Sequence, residues 1–188
     1  MPNKIIVAVT GASGSIYAKH LLEKLIAFED GLTEVALIFS ENGKKVWEYE
    51  IGSFSINSKL IHQYSSDDLF APVASGSAGY DSMIIIPCTM GTLGRIASGT
   101  SDDLISRSAD VMLKERKKLV LITREAPLNL IHIENMRTIT LAGGIIYPAS
   151  PSFYSKPNSK EELEMTLVNR VLDIMGFESG INRWGSGN

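Results

Sequence analysis

The chain has 188 residues, and its 18 Lys and Arg against 21 Asp and Glu give a formal net charge of −3. This balance argues against nucleic acid as a partner, because proteins that bind phosphate backbones carry a basic surface. The hydrophobic fraction of 44% excludes a disordered chain, and the single cysteine excludes internal disulfides and multi-cysteine metal sites.

The amino terminus predicts no targeting segment. MPNKIIVAVTGASG reaches a glycine after a short apolar run, unlike a signal peptide, and no stretch of about 18 apolar residues follows that could span a bilayer. We therefore expect a cytoplasmic protein without membrane association. The length favours a single domain over residues 1–188, since domains average about 150 residues.

The chain begins with a strand, a glycine turn and a helix. Residues 4–10 form a continuous β-branched run typical of a strand buried on both faces, GASGS follows at 11–15, and apolar residues recur at helical spacing over 15–28. A strand at 34–39 and a helix from Ser40 to about Tyr49 follow, and the irregular residues 51–80 contain one short strand at most. A strand at 82–88 leads into a small and glycine-rich segment at 89–101 and a helix at 102–117. The last predicted elements are a strand at 119–123, a helical segment at 128–142, a strand at 144–148 and a helix at 159–175.

Strands that alternate with helices predict a doubly wound α/β domain with a mostly parallel sheet, as in Rossmann-like or flavodoxin-like folds. Ligands of such sheets bind beyond the carboxyl ends of the strands. Four turns lie at that edge in the predicted arrangement: 11–15, Ser40, 88–92 and 124–127. We expect the functional site there.

The turn after the first strand does not match the common nucleotide loops. A dinucleotide loop reads G-x-G-x-x-G and needs an acid at the end of the second strand, whereas this chain has Ser13 at the third position and Phe39-Ser40 at the strand end. The sequence also lacks a Walker A loop. It therefore favours neither NAD nor ATP as a ligand. Small hydroxyl and glycine residues at strand ends suit a single phosphate, which favours a mononucleotide such as FMN. Each of these residues is also compatible with an ordinary turn or N-cap.

Five segments resemble the UbiX/Pad1 family of flavin prenyltransferases: VTGASGSIYAKHLLEKL (9–25), APVASGS (71–77), IIIPCTMGTL (84–93), ADVMLKERKKLVLITREAPLNLIHIENM (109–136) and PASPSFYSKP (148–157). The resemblance runs in order to the terminal RWG at 183–185 and so covers the whole chain. It implies a flavodoxin-like domain that assembles into dodecamers, with each active site where subunits meet and the tail at 176–188 packed on a neighbour. It also implies transfer of a dimethylallyl group to N5 and C6 of reduced FMN, whose product serves a UbiD-type decarboxylase.

The resemblance also assigns site residues. The implied FMN contacts are Gly11, Ala12, Ser13, Ser40, Thr89, Met90, Gly91, Thr92 and Arg124. The implied contacts for dimethylallyl monophosphate are Tyr154 and Arg170, with Arg107, Lys114, Gly76 and Trp184 also around that substrate. Ser13, Glu50 and Glu125 match the remaining polar active-site positions, with Ser13 and Glu50 as candidates for flavin protonation and Glu125 for orienting the arginines.

A metal site is not expected. The two Asp pairs, 67–68 and 102–103, lack a third acid at the spacing of an Asp-rich motif, and the three histidines show no ligand spacing. Fixed cations and a phenol would then stabilise the leaving phosphate, and a monophosphate suits such a pocket because it carries less charge than a diphosphate. Trp184 is a candidate wall for the allyl cation through cation–π attraction.

Simpler interpretations remain open for several residues. Arg107 and Lys114 are seven residues apart and share a helix face. Binding one phosphate requires that arrangement, but a solvent-exposed basic helix face has the same pattern. Arg170 lies among apolar residues and is compatible with snorkelling. The Cys88 thiol is compatible with a catalytic nucleophile, but the sequence favours a buried structural thiol.

Two other functions are considered. One is an FMN-dependent decarboxylase of the cysteine-decarboxylase type, for which the PxMNxxMW motif is absent from this sequence. The other is a non-catalytic flavin carrier for a decarboxylase, which would make Lys114, Tyr154 and Arg170 superfluous.

Overall fold

Six parallel strands form one sheet in the order β3-β2-β1-β4-β5-β6 in the computed structural model, which describes residues 3–28 and 31–178. The strands are β1 (Lys4–Val9), β2 (Glu34–Phe39), β3 (Ile61–Ser65), β4 (Ser82–Cys88), β5 (Lys118–Thr123) and β6 (Ile145–Pro148). The helices are α1 (Ser15–Ile26), α2 (Glu41–Ile51), α3 (Met90–Ala97), α4 (Leu104–Lys114), α5 (Leu130–Leu141) and α6 (Lys160–Met175).

The central strands are buried on both faces, as their continuous apolar runs predict. Helices α1, α2 and α6 cover one face of the sheet, and α3, α4 and α5 cover the other. Strand order reverses between β1 and β4, so the carboxyl ends of these two strands lie at a topological switch point. The predicted doubly wound α/β fold is confirmed.

One helix is missing from the sequence-based prediction. Residues 89–101 are described there only as small and glycine-rich, yet they contain α3, with Thr89 as the N-cap. Leu93 and Ile96 face the core and provide enough burial to offset the low helix propensity of Gly91 and Gly94. The irregular segment 51–80 holds the single strand β3, as expected, and two short 3-10 turns at Pro72–Ala74 and Gly76–Ala78.

The end of the chain is described only in part. Phe177 is buried and its ring packs on Phe28 of the same chain, with the ring centroids 5.0 Å apart. The remainder of the 176–188 tail, including Trp184, lies outside the described residues, so its packing on a neighbouring subunit stays a prediction. Within the described ranges, no helix has the length and apolar character needed to cross a membrane.

Candidate functional site

The turn between β1 and α1 is built for close approach and is held by an acid from α2. Gly14 has φ +111°, a conformation that glycine tolerates, and a Cβ on Gly11 would lie only 2.6 Å from the Cβ of Asn42. The Glu50 carboxylate accepts hydrogen bonds from the backbone N–H of Gly14 at 3.0 Å and of Ser15 at 2.8 Å. Glu50 therefore caps α1 from a different helix.

The electrostatics of this turn keep Glu50 ionised. Partial burial raises the pKa of the Glu50 carboxyl, but hydrogen bonds from the Ser13 hydroxyl and from the Gly14 and Ser15 backbone outweigh burial, so its pKa lies below the ordinary value. Ser13 and Glu50, which the sequence analysis pairs, are thus in contact. Ser13 is exposed at the tip of the turn, where a ligand can reach it.

A threonine that the sequence analysis did not select joins the turns at the switch point. The Thr10 hydroxyl donates to the Pro87 carbonyl at 2.7 Å and accepts from the Thr89 N–H at 2.9 Å. It therefore ties the end of β1 to the start of α3, although it is itself fully enclosed. Its position directly after a buried strand is the one sequence signal that could have indicated it.

Two of the predicted FMN contacts are also helix caps. The Ser40 hydroxyl accepts from the Gly43 N–H at 3.0 Å, and the Thr89 hydroxyl accepts from the Thr92 N–H at 3.1 Å. Met90 and Thr92 have buried side chains, so at these positions the backbone is the accessible part. Gly91, by contrast, is exposed at the first turn of α3, with nothing closer than 3.9 Å to an added Cβ.

Arg124 and Glu125 follow β5 at the same edge and are both exposed. The Arg124 N–H donates to the Cys88 carbonyl at 3.2 Å, which fixes the backbone there. Its charge lowers the pKa of the Tyr17 phenol, although burial and the Glu164 carboxylate raise that pKa more strongly. Glu125 accepts from the Ala126 N–H at 3.2 Å, and among the described residues no ion pair joins it to Arg124.

A cleft of about 780 Å³ lies between the loop after β6 and the exposed side of α6. Its lining residues are Tyr147, Ser152, Tyr154, Ser155, Pro157, Ser159, Glu161, Glu162, Met165, Thr166, Asn169 and Arg170. Burial raises the pKa of the Tyr147 phenol, the nearby Arg170 lowers it, and Tyr154 raises it. The structure therefore brings the predicted Tyr154 and Arg170 together, and adds Tyr147, which sequence reasoning missed because it reads as an ordinary strand residue.

The remaining predicted residues lie in a second place. Arg107 on α4 donates to the Ala74 carbonyl at 3.1 Å and pairs with Asp110 at 2.9 Å. Lys114 ends the same helix and pairs with Glu115, whose side chain lies against Gly76. Helix α4 runs back from the carboxyl edge of the sheet towards the start of β5, so Lys114, at the end of the helix, lies away from that edge. Within one chain, Arg107, Lys114 and Gly76 are not part of the cleft.

Neither the cysteine nor the aspartates point to another chemistry. Burial raises the pKa of the Cys88 thiol to about 12, as expected for a structural cysteine. Asp102 and Asp103 both lie 3.6 Å from Arg95, and Asp103 also caps α4. Across residues 3–28 and 31–178, no three His, Cys, Asp or Glu side chains are grouped as a metal ion would need.

The edge of the sheet fits a mononucleotide. The turns after β1 and β4 offer glycines, exposed backbone and hydroxyl groups, and the turn after β5 adds the guanidinium of Arg124. This donor set suits one phosphate and a polar chain. Which residues hold FMN stays a prediction, and those implied by the resemblance are Gly11, Ala12, Ser13, Ser40, Thr89, Met90, Gly91, Thr92 and Arg124.

The comparisons with known proteins agree with this geometry. Residues 1–174 match the family model described as Flavoprotein. The chain is 45% identical over 186 residues to the flavin prenyltransferase UbiX of Methanocaldococcus jannaschii, covering 97% of this chain and 99% of that protein. Two solved structures are also similar. One is AnUbiX (PadA1) in complex with FMN and dimethylallyl pyrophosphate, at 41% identity, full coverage of both chains and a TM-score of 0.88. The other is a dodecameric FMN-dependent UbiX-like decarboxylase from Escherichia coli O157:H7, at 38% identity, 98% coverage of this chain, full coverage of that chain and a TM-score of 0.90.

Proposed function

The chain belongs to the UbiX family of flavin prenyltransferases, and from that membership we propose that it joins the dimethylallyl group of dimethylallyl monophosphate to N5 and C6 of reduced FMN. Bound reduced FMN supplies the electron-rich nitrogen and carbon that accept the prenyl group. The product would serve as the cofactor of a UbiD-type decarboxylase. The chain's own residues bind the two substrates, stabilise the leaving phosphate and hold protons.

The observation that carries this proposal is the cleft beside α6. It places the guanidinium of Arg170 and the phenol of Tyr154 beside an aromatic ring, Tyr147, and an apolar side chain, Met165. A guanidinium binds phosphate oxygens with two parallel hydrogen bonds, and the ring and thioether suit a short isoprenoid chain. The cleft follows β6, which pairs with β5, so it lies at the same edge of the sheet as Arg124.

Arg170 and Tyr154 would stabilise the phosphate as its bond to the allyl carbon breaks. Fixed donors of this kind contribute several kcal/mol, because they need no reorganisation when charge develops. We propose that this replaces a metal ion and that a monophosphate is the substrate. Trp184 is proposed as a further wall around the allyl cation.

Proton transfer is assigned to the turn before α1. The Ser13 hydroxyl and two backbone amides hold Glu50 ionised, which is the form able to receive a proton, and the Ser13 hydroxyl is proposed to relay that proton. Ser13, which is exposed, is the member that would meet the flavin. Glu125 is proposed to act on the phosphate beside Arg124 rather than on the flavin.

Arg107, Lys114 and Gly76 are proposed to serve the site of a neighbouring subunit. Arg107 and Lys114 lie on α4, Gly76 lies against the neighbouring Glu115, and none of the three lines the chain's own cleft. The exposed apolar side chains of α5 provide a surface on which a second copy can pack. We therefore propose a homo-oligomer, and specifically a dodecamer, in which residues of a neighbouring subunit complete each active site.

The test is the mass of the flavin after incubation with FMN, dithionite and dimethylallyl monophosphate. We expect a gain of one five-carbon unit. Bound flavin of unchanged mass would contradict the transferase and favour a flavin carrier. Loss of carbon dioxide from an added cysteinyl peptide would favour the cysteine-decarboxylase alternative instead.

A further inference from the structure

Two buried ionisable side chains on facing helices have no part in the proposed reaction. His20 of α1 is 9% exposed and Glu164 of α6 is 7% exposed. Among the described residues, they are the one histidine and the one carboxylate in the buried class. Glu164 lies on the side of α6 that packs against the core, among Leu167, Val168 and Val171. A charged group at such a place needs a partner, since burial removes its hydration.

The two side chains are partners of each other in a line of charges across the helix boundary. His20 Nε2 lies 3.1 Å from Glu164 Oε2, and His20 Nδ1 lies 3.3 Å from Glu23 Oε2. Beyond them, Lys160 lies 3.5 Å from Glu164, and Lys19 lies 3.8 Å from Glu23. The line therefore alternates in sign when the imidazole carries a proton on each nitrogen.

The number of hydrogen bonds that the His20 ring donates depends on its protonation. An ionised carboxylate only accepts hydrogen bonds, and a neutral imidazole has only one N–H. With both ring nitrogens facing carboxylates, only the imidazolium can donate to both. The neutral ring leaves a nitrogen lone pair against a carboxylate oxygen and loses one of the two bonds.

This line of charges joins the two halves of the proposed site. Helix α1 starts at the turn that Glu50 caps, and α6 carries Arg170 and much of the cleft wall. Besides burial, the Glu164 carboxylate raises the pKa of the Tyr17 phenol and the Arg124 guanidinium lowers it. Tyr17 lies one turn before His20, so these charged groups are close to the start of this line of charges. A change in how α6 sits on α1 thus alters the cleft relative to the flavin turns.

We propose that His20 is a positioning residue: its ring, held between Glu23 and Glu164, clamps α6 to α1 and so places Arg170 for the phosphate of the prenyl substrate. The proposal rests on the proposed function. The charged or titratable groups around the ring are Glu23, Lys19, Glu164, Lys160, Tyr17 and Arg124.

The experiment compares KM for dimethylallyl monophosphate, kcat and FMN affinity in the wild type, His20→Gln and Glu164→Gln at one pH. We expect a ratio of variant KM to wild-type KM of about five to ten and a lower kcat in both variants, because a displaced Arg170 holds the phosphate less well before and during ionisation. FMN affinity should stay within about two-fold. His62→Gln, the same substitution at an exposed histidine of β3, is the control and keeps a ratio of one.

A KM ratio near one in both variants, or a loss of FMN affinity as large as the rise in KM, would overturn the clamp. Hydrogen–deuterium exchange of the ligand-free proteins gives a readout that does not require turnover. We expect faster exchange over residues 160–170 in both variants than in the wild type at about pH 6. If the wild type makes no prenylated flavin, the proposed function fails, and the exchange difference still decides whether His20 holds α6.

Discussion

Glu50 caps α1 with a carboxylate that comes from the end of α2. We expect Glu50→Gln to lower the free energy of unfolding by about 1 kcal/mol at neutral pH, because charge-assisted hydrogen bonds of about 1.5–3 kcal/mol are weakened by solvent at this exposed site. Chemical denaturation of the two proteins measures the difference. Glu48→Gln, an exposed position on the same helix, is the matched control.

The difference between wild type and Glu50→Gln has a defined pH dependence. The folded state lowers the pKa of this carboxyl, so its stabilisation is fully present above the ordinary value of 4.5 and is lost as pH falls through the lower, folded-state pKa. We expect the difference to be constant near neutrality and to shrink below that range. A difference that persists in acid would show that the lost side chain, rather than its charge, is responsible.

Cys88 is expected to be inert. Burial raises the pKa of its thiol to about 12, so the thiolate that reacts with disulfide reagents is scarce at neutral pH. Native protein should react far more slowly than denatured protein, and Cys88→Ala should retain turnover with a small loss of stability. Rapid labelling of the native protein, or loss of turnover with FMN still bound, would make this cysteine a nucleophile.

At the residue scale, local sequence context identified the turn residues but not the partners that come from distant segments. Ser40 and Thr89 follow buried strands, and a hydroxyl there predicts a cap or a ligand contact; the structure shows the cap. The contact between His20 and Glu164 joins residues 144 positions apart, so no local pattern reveals it. Tyr147 was missed because a tyrosine in a β-branched run is typical of any strand.

Helix α6 combines a buried face with a cleft-lining face, and Arg170 lies on the second. We expect Arg170→Ala to raise KM for dimethylallyl monophosphate about 10- to 100-fold, since a charge-assisted hydrogen bond to phosphate is lost, while FMN affinity stays within about two-fold. Steady-state kinetics and flavin titration measure the two effects. Lys24→Ala, an exposed cation in the last turn of α1, serves as control. A loss of FMN affinity with normal KM would place Arg170 in the flavin site.

At the element scale, periodicity predicted the strands and most helices because their apolar residues repeat within a short window. The exception, α3, contains two glycines in eight residues, and its stability comes from packing on α4 and α5 that a sequence window does not contain. The separation of Arg107 and Lys114 from the cleft could not be predicted either. Arg107 and Lys114 share a helix face as expected, but which edge of the sheet they reach depends on the direction of α4.

Over the whole molecule, α5 stands out because its apolar residues are exposed. Leu130, Ile131 and Leu141 are each at least 70% exposed, and Ile139 is the one residue of α5 in the buried class. We expect Ile131→Glu to dissociate the proposed oligomer and to reduce turnover with it, because a charge in an apolar interface is costly. Light scattering coupled to size-exclusion chromatography measures the mass. Glu134→Gln, an exposed position on the same helix, should leave it unchanged, and an Ile131→Glu protein of unaltered size would contradict this interface.

Stabilisation of the departing phosphate by fixed cations rather than a metal ion is tested most directly by the single-turnover rate of flavin prenylation. Reduced FMN and dimethylallyl monophosphate are mixed with the enzyme after exhaustive chelation, and again with added Mg²⁺. We predict the same rate in both samples, with Arg170→Ala far slower in each. A rate that disappears on chelation and returns with the metal would contradict metal-independent ionisation.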